Sequence, residues 1–260
     1  MMEKYRQLVA DYTAHNNLLN QFDFYHFMNH GYDPVSKIFW DDSKSLFKNF
    51  IMKREASLYL KLLENIDTNN KVILDVGCGR GGGPGLYKAC FNFAEVHACD
   101  LVDANIDYAK SQFKDIKFKC CNAENLTYEK NKFDIVTNVE SMSLYKDKEK
   151  FLKNVVKVLK KDGLFICADC SYKSLETMYK NQHLFKSITP VDITQNVAQA
   201  CLKNIEEYSK WKDCEAKEFT ISMLKEKYEF YSTRKDIFNI FYCAPGAVYS
   251  SQSSVDSFHS

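Results

Sequence analysis

From Val72 onward the chain alternates short apolar runs with longer stretches in which apolar residues return every three or four positions. The runs Val72–Leu74, Glu95–Leu101 (EVHACDL), Ile116–Cys121 (IKFKCC), Phe133–Asn138 and Leu164–Ala168 (LFICA) have strand length. The first of them, continuously apolar, reads as a buried parallel strand. Between them, Leu86–Cys90, Ala104–Phe113 and Phe151–Lys160 read as helices, the last with Phe151, Val155 and Leu159 on one stripe before an Asp162-Gly163 turn. This rhythm predicts an α/β fold, a doubly wound Rossmann-like sheet with its ligand at the carboxyl ends of the strands.

The rhythm changes beyond Asp169. His183–Ile188 reads as a sixth strand, Ile193–Leu202 and Cys214–Lys227 as helices, and Asp236–Cys243 as a final strand before a Pro-Gly stop. A helical insert at about 190–232 therefore precedes the last strand, in a core spanning residues 66–248. Residues 1–65 are expected to form a helical cap or lid. Phe22, Phe24, Tyr25, Phe27, Tyr32, Phe39 and Trp40 crowd around Met28–Asp33, and Leu46, Phe47, Phe50, Ile51, Leu58, Leu60 and Leu63 suggest amphipathic helices. The serine-rich tail 249–260 is expected to be disordered.

The first strand breaks at Asp75 into a turn dense in glycine: Gly77, Gly79, Gly81, Gly82 and Gly83. Glycine there admits positive φ and leaves no Cβ between backbone and ligand, while the following helix offers unpaired N–H groups. The spacing of Gly77, Gly79 and Gly82 also satisfies the dinucleotide fingerprint, so the turn alone leaves NAD and other adenosine cofactors open. Asp100, about 20 residues further on at the end of an apolar strand, is placed to accept hydrogen bonds from both ribose hydroxyls.

Composition narrows the partners. Lys+Arg 35 against Asp+Glu 34 leaves a net charge of +1, with no block of like charge to form a nucleic-acid face. The start MMEKYRQLVADYTAHNN lacks the apolar core of a secretory signal, and no apolar run has spanning length, so the expected location is cytoplasmic. Of the 10 cysteines, Cys78, Cys99, Cys120, Cys121 and Cys167 sit within apolar strand-like segments, and the set reads as reduced core thiols. Cys167 and Cys170 form a CxxC without a second pair, which argues against a structural zinc site.

Taken together, Leu74–Gly83 (LDVGCGRGGG), Asp100, Asn122–Leu126 (NAENL), Phe133–Ser141 (FDIVTNVES) and Phe151–Asp169 resemble the ordered motifs of class I methyltransferases that use S-adenosyl-L-methionine. The triple glycine after Arg80, the NVES at strand four, the MNHGY segment and Asp192–Val197 are similar to bacterial-type small-molecule O-methyltransferases of polyketide, glycolipid or phenolic hydroxyls, the phthiotriolone and rifamycin enzymes among them.

The resemblance implies roles. Asp75 and the backbone of Gly77, Cys78 and Gly79 would hold the amino-acid part of the cofactor. Asp100, with Leu101, would hold the ribose, and Asn122, Ala123 and Glu124 the adenine edge, with Asn138 at the end of strand four. Asn122 stands where the family usually has Asp. An acid before the glycines, Asn122-Ala123 after strand three and the lack of a dehydrogenase acid–base set weigh against NAD. The NVES sequence also differs from the NPPY-like tetrad of amino methyltransferases.

A hydroxyl acceptor calls for a base. Related enzymes often carry His a few residues after the NVES glutamate, where this chain has Ser143. Glu140 is the nearest replacement, with Tyr145, His30 and His183 as further candidates; Tyr32, His30, Ser143 and His183 are taken as acceptor-facing. The expected partner is a small apolar or aromatic acceptor. A macromolecular methyltransferase and a non-catalytic cofactor-binding protein remain as alternatives.

Overall fold

The five apolar runs pair as neighbouring parallel strands in a computed structural model that describes residues 27–36, 52–210 and 215–245. The aromatics Phe22, Phe24, Tyr25, Phe39 and Trp40, the positions Leu46, Phe47, Phe50 and Ile51, and the tail lie outside the described residues. Strand β1 (Val72–Val76) pairs in parallel with β2 (Glu95–Asp100) and with β4 (Phe133–Val139). Strand β3 (Lys117–Cys120) flanks β2, and β5 (Leu159–Asp169) flanks β4. On the far side β7 (Asn239–Pro245) runs antiparallel to β5, and β6 (Phe185–Asp192) antiparallel to β7. The order β3-β2-β1-β4-β5-β7-β6 reverses direction of growth between β1 and β4. A crevice outside the carboxyl ends of the strands opens at such a switch point.

Alternate residues of the central strands feed opposite layers, as the pleat requires. Ile73, Ile135, Ile166 and Ile240 pack with α1 (Lys53–Leu62), α2 (Gly82–Cys90), α6 (Thr194–Tyr208) and α7 (Glu215–Ser232), through Leu58, Tyr87, Val197 and Tyr231 among others. Leu74, Val136, Phe165 and Phe241 pack on the other face with α4 (Lys148–Val158) and α5 (Tyr172–Lys180), through Phe151, Val155 and Met178. Helix α3 (Asp103–Gln112) contributes Ile106 to a smaller cluster beside Cys78.

Several predicted boundaries move. Helix α4 ends at Val158, and Asp162-Gly163 lies inside β5 as an irregularity, where the register against β4 jumps from Phe133↔Leu159 to Ile135↔Leu164. Helix α5, not expected, starts behind Ser171, whose side chain accepts from the Lys173 N–H. Strand β6 continues to Asp192, and α6 and α7 run on to Tyr208 and Ser232. Among the described residues no helix is long and apolar enough to cross a membrane.

Residues 27–36 form an irregular strap with no helix. Its backbone groups are satisfied at long range. The Tyr32 N–H donates to Arg54 O (2.8 Å) and the Asp33 N–H to Asn196 O (3.2 Å), while the Asn29 side chain donates through Nδ2 to Glu55 O (3.1 Å). Side chains latch the strap and α1 to the insert. Asp33 meets Lys203 at 2.7 Å, and Arg54 Nη1 donates to Asn204 (3.0 Å) and Glu207 (2.8 Å). Buried Glu55 accepts from both Asn204 and Tyr208 at 2.7 Å.

Candidate functional site

The crevice at the switch point is a cavity of about 970 Å³, counting space open to solvent, between the glycine turn, the strand ends and the strap. Its floor is the turn. The Gly77 and Cys78 N–H groups both donate to Cys99 O, at 2.8 and 3.0 Å, which folds the chain back at the end of β1. Gly77 and Gly79 have φ of +75° and +52°. A Cβ on Gly77 would overlap Ser141 Oγ and lie 2.8 Å from the Tyr145 hydroxyl, and one on Gly79 would lie 3.0 Å from Met28 Sδ. Gly77 therefore needs glycine for conformation and for space, and Gly79 for conformation.

One side of the cavity is polar. Asp100, at the end of β2, accepts from the Gly79 N–H at Oδ2 (2.9 Å), and from the Val102 N–H (2.9 Å) and Asn105 Nδ2 (3.2 Å) at Oδ1. Burial raises its pKa, and these three donors act against that rise. Next to it, Asn122 Oδ1 accepts from the Glu124 N–H (2.8 Å) and caps a short 3₁₀ turn, Ala123–Asn125, that presents Ala123 to the cavity. Glu124 Oε1 accepts from the Lys146 N–H (2.8 Å). Exposed Leu101 forms part of the rim.

The opposite wall is the end of β4. Asn138 Nδ2 donates to Val76 O (2.8 Å) and the Tyr145 hydroxyl (2.9 Å), while its Oδ1 accepts from the Met142 N–H (3.0 Å). Ser141 Oγ shares a 2.8 Å hydrogen bond with the same Tyr145 hydroxyl. Burial pushes that hydroxyl's pKa well up. Tyr145 is thus a poor proton acceptor and a good brace for the wall. Glu140 follows with φ +47°, its N–H bonded to Ala168 O at 2.7 Å. Its carboxylate takes the His30 backbone N–H at Oε1 (2.8 Å) and lies 2.7 Å from His30 Nδ1 at Oε2. That second contact is short yet out of line for a well-directed hydrogen bond.

Of the residues expected from sequence, Gly77, Cys78, Gly79, Asp100, Leu101, Asn122, Ala123, Glu124, Glu140 and Tyr145 line this cavity. Asp75 does not line it. It is 1 % exposed, accepts from Thr137 Oγ1 at 2.7 Å, and has a second oxygen without a hydrogen-bond partner; burial lifts its pKa to about 7. Asn138 braces the wall without lining it. His30 contacts the Glu140 carboxylate and is likewise absent from the lining. The Ser143 N–H is held by Asp169 Oδ2 at 2.8 Å.

None of the four residues expected to face the acceptor, Tyr32, His30, Ser143 and His183, lines the cavity. Tyr32 also lies off the cavity, its ring 5.9 Å from Lys61 Nζ. His183 is exposed and precedes β6, which pairs from Phe185↔Pro245 to Asp192↔Asn239, while β5 pairs Asp169↔Asn239. The start of β6 is therefore at the end of the sheet opposite the cavity.

Met28, Asn29, Tyr59, Val102, Asn105, Cys121, Val139, Ser141 and Leu144 complete the lining. Met28 and Asn29 lie in the MNHGY segment that the motif comparison singled out. Tyr59 carried no separable signal, because its apolar helix stripe reads as core; its ring also fills the space a Cβ on Gly83 would need.

Comparison with known proteins agrees with this geometry. Residues 74–167 match the family described as Methyltransferase domain. Over 119 residues the chain is 34% identical to phthiotriol/phenolphthiotriol dimycocerosates methyltransferase of Mycobacterium tuberculosis, covering 45% of this chain and 44% of that protein. Over 147 residues it is 32% identical to fatty-acid O-methyltransferase of Mycolicibacterium smegmatis, covering 55% and 52%. The chain thus spans about half the length of the curated relatives it matches. Among solved structures, the [4+2]-cyclase SpnF superposes with a TM-score of 0.71 over 93% of this chain and 96% of that one, at 16% identity, a likeness of fold alone.

Proposed function

We propose that this chain, which carries a class I S-adenosylmethionine-dependent methyltransferase domain at residues 74–167, transfers a methyl group to a hydroxyl oxygen of a small, largely apolar acceptor. The observation that carries this reading is the cavity itself. It joins a polar side suited to an adenosine to a wall of Met28, Tyr59, Val139 and Leu144 under a latched strap. Two of the matched relatives are named for methylating phthiotriol or phenolphthiotriol dimycocerosates and fatty acids, which fits an apolar acceptor.

The residues present fit S-adenosylmethionine. Gly77 and Gly79 put no Cβ of their own into the turn, the Asp100 carboxylate has one lone-pair site beyond the three taken by Gly79, Val102 and Asn105, and Ala123 offers a small apolar surface. Asp100 would take the ribose hydroxyls, Asn122, Ala123 and Glu124 the adenine edge, and the Gly77–Gly79 backbone the amino-acid end. The sulfonium supplies an activated methyl group. The protein's share is then alignment and the exclusion of water. Asn138, Ser141 and Tyr145 fix the wall, and Asp33, Arg54 and Glu55 hold the strap over it.

Incubating the protein with methyl-labelled S-adenosylmethionine and a cell extract tests this. Label in the organic-soluble fraction is the expected result. Label confined to protein or RNA would replace the small acceptor by a macromolecule, and no label beside demonstrated cofactor binding would leave a binding protein without transfer.

A further inference from the structure

Glu140 and His30 are 110 positions apart, one at the end of β4 and the other on the strap, yet they meet as a pair. The Glu140 side chain is 6% exposed and its residue lines the cavity. It sits in left-handed backbone, a conformation a non-glycine residue rarely adopts and that persists only where the surroundings hold it. Among the described residues His30 is its one ion-pair partner; no Lys or Arg neutralises it. A nitrogen lone pair at 2.7 Å from a carboxylate oxygen would repel it, whereas a proton on Nδ1 would draw the two together. The His30 ring is in turn backed by Tyr231 of α7, at 6.0 Å between centroids.

A buried carboxylate at the cavity wall has two chemical consequences. It repels an anion: like charges about 4–5 Å apart at the effective dielectric of a protein site differ from a neutral contact by roughly several hundredfold in binding. It also accepts a proton from a neutral donor within reach, which is worth about 10²–10⁴ in rate.

Resting on the methyl-transfer reading above, we propose that Glu140, positioned by His30, restricts the acceptor to a neutral hydroxyl, takes up its proton, and excludes carboxylate acceptors. The O–H bond breaks and its proton passes to the Glu140 carboxylate. The oxygen pair so released forms the bond to the methyl carbon as the carbon–sulfur pair leaves with sulfur, and the carboxyl later returns the proton to solvent. Glu140 is the catalytic residue; His30 acts through it.

The test follows label from methyl-labelled S-adenosylmethionine into the organic fraction of an extract and then treats that fraction with alkali, which cleaves methyl esters and spares methyl ethers. Alkali-stable label is expected. In Glu140→Gln it falls about a hundredfold or more. In His30→Ala it falls about tenfold with little change in KM, and His30→Gln recovers part of it through the amide N–H. Nitrogen NMR of the protein without acceptor should show the His30 Nδ1 proton, with a shift that moves in Glu140→Gln. Alkali-labile label, wild-type turnover in Glu140→Gln, or a His30 ring unprotonated at Nδ1 would each overturn the proposal. Absence of label from every fraction would overturn the methyl-transfer reading and this inference with it.

Discussion

Replacing Gly77 by alanine attacks the cavity floor at two independent points. The residue sits at φ +75°, where an L side chain costs about 1–2 kcal/mol. Its new Cβ would overlap Ser141 Oγ, lie 2.7 Å from Ser141 Cβ and stand 2.8 Å from the Tyr145 hydroxyl. Relief requires Ser141 and Tyr145 to move apart, which loses their mutual hydrogen bond and loosens the one from Asn138, at about 1 kcal/mol each. The sum is about 3–4 kcal/mol, a large share of the ~5–15 kcal/mol that holds a domain folded. Urea unfolding should show that loss, and calorimetric titration should show S-adenosylmethionine affinity reduced by roughly tenfold or more. The double variant Gly77→Ala/Ser141→Gly removes the two nearest atoms but leaves the left-handed penalty and the lost Ser141–Tyr145 hydrogen bond, so it should recover about 1 kcal/mol. Unfolding and titration curves of Gly77→Ala superimposable on wild type would refute the geometry.

Further outcomes follow from other parts of the structure. In Asp100→Asn one of the two carboxylate oxygens that receive the Gly79 and Val102 N–H groups becomes an NH₂ facing a donor, so cofactor affinity should fall roughly 10–100-fold by calorimetry while the fold survives. Burial pushes the Glu55 carboxyl up to about 7 from its ordinary 4.5. Because the folded pKa lies above the unfolded one, the folded state binds more protons between those values; this contribution to stability is full below pH 4.5 and is lost as pH rises to 7. Glu55→Gln should therefore gain on the order of 2 kcal/mol relative to wild type between pH 5 and pH 8 in urea unfolding, and an unchanged difference would contradict the assignment. Arg54→Ala removes contacts to Asp33, Asn204 and Glu207 at once, and should cost about 1–3 kcal/mol and speed proteolysis of the strap; equal cleavage rates would count against the latch.

The central sheet was legible because parallel strands buried on both faces must be apolar throughout, and Ile73, Leu74, Val136 and Ile166 are all fully buried. The turn and Asp100 were legible because glycine and a strand-end carboxylate are required by local geometry. What escaped was set by long-range contact. Residues 27–36 have no period to read, since their backbone partners are Arg54, Glu55 and Asn196. Glu140 was recognised as a candidate by position, while its engagement by His30 depends on where the strap crosses β4. His183 was misplaced because its strand was found but not its direction in the sheet, and Asp162-Gly163 was read as a break where β5 absorbs it as an irregularity.

A crystal structure with S-adenosylhomocysteine would test the account most directly. The expected result is a ribose bonded to the Asp100 carboxylate, an adenine against Ala123, and a thioether sulfur directed to the part of the cavity bounded by Glu140. A nucleoside lying elsewhere, or one that leaves Asp100 without a contact, would contradict it.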